Sequence, residues 1–315
     1  LATLMAIVLC LTQAERAAAQ FSSMQMPNLG NLAGSGSSRR AADDSIAINE
    51  TFVGFLDSAV PRSTVGTRLD LTYNNRQPMR AEYLFAKGGV PNSVGFPLPE
   101  RRVDYQELTS FTEYAWSPWF SLFIEAPYRW LNPVDNANLS GAGDMRYGLK
   151  LCTWSSDNFI ASVLLRVYQP SARHSTLGTE HWSIEPGILA AYRYTPSMHF
   201  EGEVRFFAPL GGSDFAGNVL RYGIGFAYGY RQAGWWVTPV VEGIGWTVLG
   251  GQTMRASPAT SYEILDAEGT TIVNGYLGIR AGYGTAVDVY AGYGRAFTGE
   301  AWQREMFRFE VRYMY

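Results

Sequence analysis

The chain has 315 residues with 25 Lys and Arg against 28 Asp and Glu, a net charge of -3, which argues against a strongly basic nucleic-acid binder and a polybasic membrane-surface protein. Only 17% of the residues are charged, while Tyr (19), Phe (17), Trp (9) and Gly (33) are abundant and the mean hydropathy is -0.09. Soluble domains carry about 25% charge and no internal run approaches the roughly 20 apolar residues of a spanning helix, so the balance points to one barrel in which lumen-facing polar residues offset lipid-facing apolar ones.

Leu1 to Leu11 is mostly apolar and Ala17-Ala18-Ala19 precedes Gln20. This reads as a secretory h-region and small-residue cleavage site, with residues 1–19 as signal peptide; the initiating Met and a basic n-region are missing, so the peptide reads as truncated at its start. Leu9 stands where a lipoprotein signal needs a small residue before Cys10, which leaves Cys152 alone in the mature chain and excludes an intramolecular disulfide.

Residues 20–62 read as a flexible periplasmic leader, because the Ser-, Gly- and Asn-rich stretch to Asp44 lacks apolar density. Within Ser45 to Pro61, Phe52, Phe55 and Leu56 have helical spacing, which allows a short amphipathic turn of helix. Such a turn has two placements, as a plug entering the lumen or as an irregular periplasmic segment. So short a helix is marginal alone, which favours the second.

Residues 63–315 read as the barrel. From Thr64, Val65, Thr67, Leu69, Leu71 and Tyr73 share one face and Arg68, Asp70 and Thr72 the other. Further strands are predicted at Val103–Tyr114, Trp119–Trp130, Gly143–Trp154, Phe159–Tyr168, Trp182–Tyr194, Met198–Ala208, Val219–Tyr230, Trp235–Thr247, Ile272–Gly282, Ala286–Ala296 and Arg304–Tyr315. Short turns such as Thr195-Pro196-Ser197 and Tyr283-Gly284-Thr285 alternate with long loops, among them Asn74–Arg102, Leu131–Ala142 and Val248–Thr271. About twelve antiparallel strands, short periplasmic turns, longer extracellular loops and both termini in the periplasm follow. The fold class is thus all-β, a transmembrane up-and-down β-barrel.

In Leu220 to Tyr230 the large apolar groups take every even position, and Arg221 and small Gly and Ala the odd ones, so the small residues face inward and leave room for long neighbours. Aromatics crowd both strand ends: Trp116, Trp119, Trp154, Tyr192, Tyr194, Tyr230, Trp235 and Trp236 by the short turns, Tyr73, Tyr128, Trp130, Tyr168, Trp182 and Trp246 by the loops. These match headgroup-level girdles. Pro127, Pro186 and Pro239 fall inside strands, and a closed barrel has no free edge for them, so each predicts a bulge or a shifted boundary. The final strand puts Phe307, Phe309, Val311, Tyr313 and Tyr315 on one face and Arg308, Glu310 and Arg312 on the other. That pattern, ending on an aromatic residue, reads as the closing strand and as the signal to the barrel-assembly machinery.

At Gly141-Ala142-Gly143-Asp144-Met145-Arg146-Tyr147-Gly148-Leu149-Lys150 the chain resembles the Gly-x-Gly-Asp-x-x-x-Gly-x-Lys strand start of the outer-membrane barrels grouped as the MetA pathway of phenol degradation family. Phe123 to Pro127 and Arg166 to Pro170 are similar to that family's strand ends, although Pro170-Ser171-Ala172 departs from its Pro-Thr-Gly. The resemblance implies an outer-membrane barrel of transporter type over Thr64 to Tyr315. No residue supports a link to phenol breakdown.

By parity the lumen receives Arg68, Asp70, Asp104, Glu125, Arg129, Asp144, Arg146, Lys150, Arg166, Glu185, Arg193, Glu201, Glu203, Arg205, Arg221, Glu242, Arg280, Asp288, Arg308, Glu310 and Arg312. These either set the field of a solute path or pair across the interior and fill it. His174-Ser175, His181 and His199 lack any recognisable lipase setting, and His174 and His181 have no third ligand of metal-site spacing. Gly223-x-Gly225 and Gly292-x-Gly294 lie outside a strand-turn-helix phosphate context. The expectation is therefore a non-enzymatic channel or transporter for small solutes without cofactor or metal, in contact with outer-membrane lipid and not nucleic acid. A structural or surface-presenting barrel is the alternative, and a lipid-modifying enzyme a weaker one.

Overall fold

The computed structural model describes residues 50–75, 95–96, 100, 102–212, 214–257, 261–298, 302 and 304–315. The signal-peptide reading, the leader before Glu50 and most of the loop 76–101 lie outside the described residues. In chain order the strands are β1 (Thr64–Asn75), β2 (Val103–Ser117), β3 (Phe120–Pro133), β4 (Leu139–Ala142), β5 (Met145–Ser155), β6 (Phe159–Gln169), β7 (Trp182–Thr195), β8 (Met198–Leu210), β9 (Val219–Tyr228), β10 (Tyr230–Gln232), β11 (Trp235–Val248), β12 (Gln252–Ser257), β13 (Ser261–Asp266), β14 (Thr271–Tyr283), β15 (Val287–Ala296) and β16 (Glu305–Met314). β4 and β5 share one place in the wall, as do β9 and β10, and β12 with β13 forms a separate hairpin. Twelve antiparallel wall positions remain.

The wall closes. β16 pairs with β1 from Thr64↔Met314 to Tyr73↔Glu305, and β11 pairs with both β9 and β14. Closure leaves no unpaired edge to meet lipid. Outward positions carry Ile188 (61% exposed), Ile224 (65%) and Leu277 (61%), while Glu125, Arg129 and Glu185 on the opposite face are buried. Such an apolar exterior around a charged interior inverts a soluble protein and suits lipid. The short turns gather at one end with the start of β1 and the end of β16; in one of them Ala233 (φ 50) and Gly234 (φ 83) both adopt the left-handed backbone that a two-residue hairpin with matching twist requires.

All three strand prolines sit beside ladder gaps. Pro127 lies where β3 passes from Tyr128↔Ala142 on β4 to Glu125↔Arg146 on β5, and its carbonyl accepts the Gly143 N–H at 2.9 Å. The β7–β8 ladder skips from Ile184↔Ala208 to Gly187↔Arg205, bracketing Pro186. Pro239 faces the break at Gly229, between Tyr230↔Val237 and Val240↔Ala227. The missing backbone donor falls in each case where a register irregularity already weakens pairing.

Several sequence expectations are corrected. Residues 50–62 form no helix; they run as bends and extended chain with nearly every residue from Thr51 to Val60 buried. The loops Leu131–Ala142 and Val248–Thr271 contain β4 and the β12–β13 hairpin. Of the proposed girdle, Tyr168 (1% exposed) and Trp246 (2%) are buried on the inner side, because Tyr168 packs on Phe207 and Trp246 against Trp302. Trp236 is half-buried and packs on Phe52. Asp104 is also misplaced: Val103, Tyr105 and Glu107 take the inward positions of β2, where Val103 and Tyr105 pack with Phe96, Leu131 and Leu177. Polarity alone inverted that strand's parity.

Candidate functional site

The interior is occupied by the chain's own residues 50–62, and the wall's ionisable side chains supply their hydrogen bonds. Glu201 accepts from Thr51 Oγ1 (2.7 Å) and from the N–H of Phe52 (2.9 Å). Glu242 accepts three consecutive amides, Gly54 (3.1 Å), Phe55 (2.9 Å) and Leu56 (2.9 Å), and Glu203 that of Asp57 (2.9 Å). On the acceptor side Arg280 donates to the carbonyls of Phe52 (3.0 Å) and Val53 (2.7 Å), Arg308 to Gly54 (2.6 Å), Arg221 to Phe55 (2.7 Å) and Arg312 to Thr51 (3.1 Å). Ser162 donates to the Ala59 carbonyl at 2.5 Å, and Lys150 to that of Val60 at 3.4 Å. A buried backbone must satisfy its donors and acceptors, and here side chains replace a β-ladder in doing so.

Apolar contacts fix the same segment. Phe52, Val53, Phe55 and Leu56 join Val240, Ile244, Trp246, Tyr276 and Tyr290 in one cluster, with Phe55 stacked on Tyr276 at 4.0 Å. The Arg308 guanidinium lies 4.4 Å from the Phe55 ring centroid, a favourable cation–π placement. Small wall residues make the room: a Cβ on Gly223 would meet Leu56 at 2.5 Å, and one on Gly225 would meet Val53 at 2.8 Å. In the plug itself, a Cβ on Gly54 would strike the Tyr290 ring at 2.1 Å.

Around this segment the charges form continuous pairs. Arg129 and Arg146 share Glu107 (2.5 and 2.7 Å), Arg146 and Arg166 meet Glu125 (3.2 and 3.5 Å), and Arg166 and Arg205 share Glu185 (3.1 and 3.0 Å). Arg205 and Arg221 then share Glu203 (3.3 and 2.6 Å). Across the seam Arg308 grips Asp70 through two bonds of 2.7 Å, while Arg280 reaches Asp288 (2.6 Å) and Glu310 (2.9 Å), and Arg312 reaches Asp288 (2.8 Å). Arg68 lies within 3.8 Å of Glu125 and 3.9 Å of Glu310. Asp57, from the plug, inserts between Arg205 (2.9 Å) and Arg166 (3.0 Å).

Most parity-assigned residues therefore meet around the plug, but Arg193, Asp144 and Lys150 stand outside the ion-pair network and Asp104 lies off the inner face. Arg193 sits at the short-turn rim and donates to the Asp157 carbonyl (2.6 Å). Asp144 organises the loop after β6, accepting from Ala172 N (3.2 Å), Thr179 N (2.9 Å) and Thr179 Oγ1 (2.9 Å), because the chain turns out of the ladder at Gly143-Asp144. Lys150 stands apart near the short turns with Glu113 (3.0 Å). Asp57, Glu107 and Glu113 were missed. Correct parity for β2 reveals Glu107 and Glu113, and the inward run of small residues in β9 beside apolar Val240 and Ile244 marks a niche that needs an occupant.

Between the plug and the long-loop end of the barrel remains a cavity of about 80 Å³, lined by six arginines, by Asp57, Asp70, Glu107 and Glu125, and by Phe55, Tyr105, Tyr168, Trp246 and Tyr276. That is on the order of a few water molecules. His174 Nδ1 accepts the Thr176 N–H (3.2 Å) as a local cap, and among the described residues no cluster of three His, Cys, Asp or Glu could hold a metal.

No family model and no curated protein matches the chain. Among solved structures it is similar to the COG4313 outer membrane channel from Pseudomonas putida F1, with 14% identity, TM-score 0.52, and coverage of 84% of this chain and 98% of that one. The NanC porin (9% identity, TM-score 0.48, 80% and 100% covered) and LpxR from Salmonella typhimurium (10%, 0.45, 80% and 100%) are less similar. The first likeness establishes the fold, an outer-membrane β-barrel.

Proposed function

We propose that this chain is an outer-membrane channel for small solutes, shut in the observed state by its own residues 50–62. The observation that carries the reading is the way the segment is held. Its carbonyls are bound by guanidiniums already paired with wall carboxylates, as in Arg280 with Asp288 and Glu310 or Arg308 with Asp70, and its N–H groups by Glu201 and Glu242. Water can replace those backbone contacts when the segment leaves, and the wall arginines that held its carbonyls keep their counter-charges. A charged, self-paired inner surface is suited to a hydrated path that screens solutes by size and sign. The resemblance to MetA-type barrels and the channel fold of the P. putida protein support the same reading.

The test is single-channel recording in planar bilayers. Wild-type barrels should stay mostly closed with brief discrete steps, and Glu201→Gln with Glu242→Gln should lengthen the open times by weakening the grip on residues 51–56. A double variant that is folded, has released the segment as judged by protease cleavage within 50–62, and never conducts would overturn the channel and favour a surface-presenting barrel.

A further inference from the structure

Asp57 is the plug's only carboxylate in the arginine-lined cavity, and it is held by fewer aligned hydrogen bonds than the wall carboxylates Asp70 and Glu242. Its Oδ1 receives a single hydrogen bond from Arg166 Nη2 at 3.2 Å, and its Oδ2 lies 2.9 Å from Arg205 Nη1 and 3.0 Å from Arg166 Nη2 without an aligned hydrogen bond. The Nε–H of Arg166 and that of Arg205 are likewise buried without a partner. Compare Glu242, whose two oxygens accept three plug amides, or Asp70, gripped by two bonds of 2.7 Å from Arg308. The side chain of Asp57 is 24% exposed, against 8% for Arg166 and 2% for Arg205, so the contact can be reached from the cavity. Six guanidiniums and four carboxylates line that cavity, and without Asp57 the lining is six against three. Guanidiniums bind carboxylates through paired, charge-assisted bonds, and a free carboxylate can align with them in ways that one tethered to the plug does not.

We propose that the cavity is a binding site for small carboxylate solutes, which compete with Asp57 for Arg166 and Arg205 and so release the plug at residues 57–60. The idea rests on the channel reading for its consequence, whereas the binding step stands by itself. A solute carboxylate takes the place of Asp57 between the two guanidiniums, and Asp57 moves into water. The network thus exchanges one anion for another and keeps its charge balance. Selectivity for anionic solutes and opening by those solutes are then one event.

The test is calorimetric titration of the refolded full-length barrel with malonate, against chloride at matched ionic strength. Asp57→Asn removes the tethered competitor, whose effective concentration is on the order of millimolar, and should tighten malonate binding by about tenfold or more. Arg205→Gln should weaken it by a similar factor, and Arg205→Lys serves if the first variant fails to fold. Equal malonate affinity in wild type and folded Asp57→Asn, or a chloride signal of the same size, would overturn the site. Conductance on the same preparations separates the two readings: a barrel that conducts but ignores malonate loses only the site, and one that binds malonate more tightly as Asp57→Asn yet never conducts loses only the channel.

Discussion

Inside the lumen Glu242 accepts the amides of Gly54, Phe55 and Leu56, and in the long loops Glu100 accepts those of Arg102, Val134, Asp135 and Asn136 at 3.0–3.2 Å. The device is the same, one carboxylate bridging successive N–H groups of chain without regular structure, and the surroundings differ. Around Glu242 the same segment's carbonyls are bound by Arg280, Arg308 and Arg221, all from the wall. Around Glu100 the second link is a backbone bond, Val134 N to Arg102 O at 3.2 Å, so loop is tied to loop. Once the plug is removed, the arginines that held its carbonyls remain paired with wall carboxylates, Arg280 with Asp288 and Arg308 with Asp70. The lumen clamp thus joins a segment to a wall whose arginines are paired without it, while the loop clamp joins loop to loop.

The largest effect should come from cutting the donor side of the lumen clamp. Arg280→Met abandons two plug carbonyls and the buried Asp288 and Glu310, and should cost about 3–5 kcal/mol, read as a lowered unfolding midpoint of the barrel in detergent. Glu242→Gln is milder, because the amide oxygen still accepts without charge. A loss of about 1–2 kcal/mol in plug binding is expected, seen as faster protease cleavage within 50–62 while the barrel's unfolding midpoint holds. If the barrel itself loosened as much as under Arg280→Met, the distinction between plug and wall would fail.

The smallest effect sharpens the other clamp. Burial works to raise the Glu100 carboxyl, but the Asn136 side-chain amide and the N–H groups of Arg102, Asp135 and Val134 outweigh it and hold the group down at about 2 against an ordinary 4.5. A depressed carboxyl contributes stability above its unfolded value and loses it as pH falls through the folded one. Amide protection at Val134–Asn136 should therefore persist above pH 4.5, decline below it and vanish near pH 2, with the barrel intact. In Glu100→Gln that acid-dependent loss should be absent.

The strand plan was legible because period-two alternation against lipid is unambiguous wherever the inner face is charged, as in Phe307 to Tyr315. It failed on β2, where Tyr105 and Val103 point inward beneath the loops and polarity gave the wrong parity for Asp104 and Glu107. Pro127, Pro186 and Pro239 signalled irregularities correctly, since a missing N–H has a local consequence. The plug was only half legible: Phe52, Phe55 and Leu56 suggested a helix turn with a lumen plug as the less favoured of two placements, yet the segment's backbone is satisfied by residues such as Glu201 and Glu242, about 150–190 positions away. No local pattern records a partner that distant.

Lumen closure by residues 50–62 is tested most directly by hydrogen exchange at the amides of Gly54, Phe55 and Leu56 in the folded, membrane-inserted barrel. Strong protection in wild type that falls in Glu242→Gln, with the β-ladder amides of β11 and β14 unchanged, is the expected result. Exchange of those three amides at free-peptide rates in an otherwise folded wild-type barrel would contradict it.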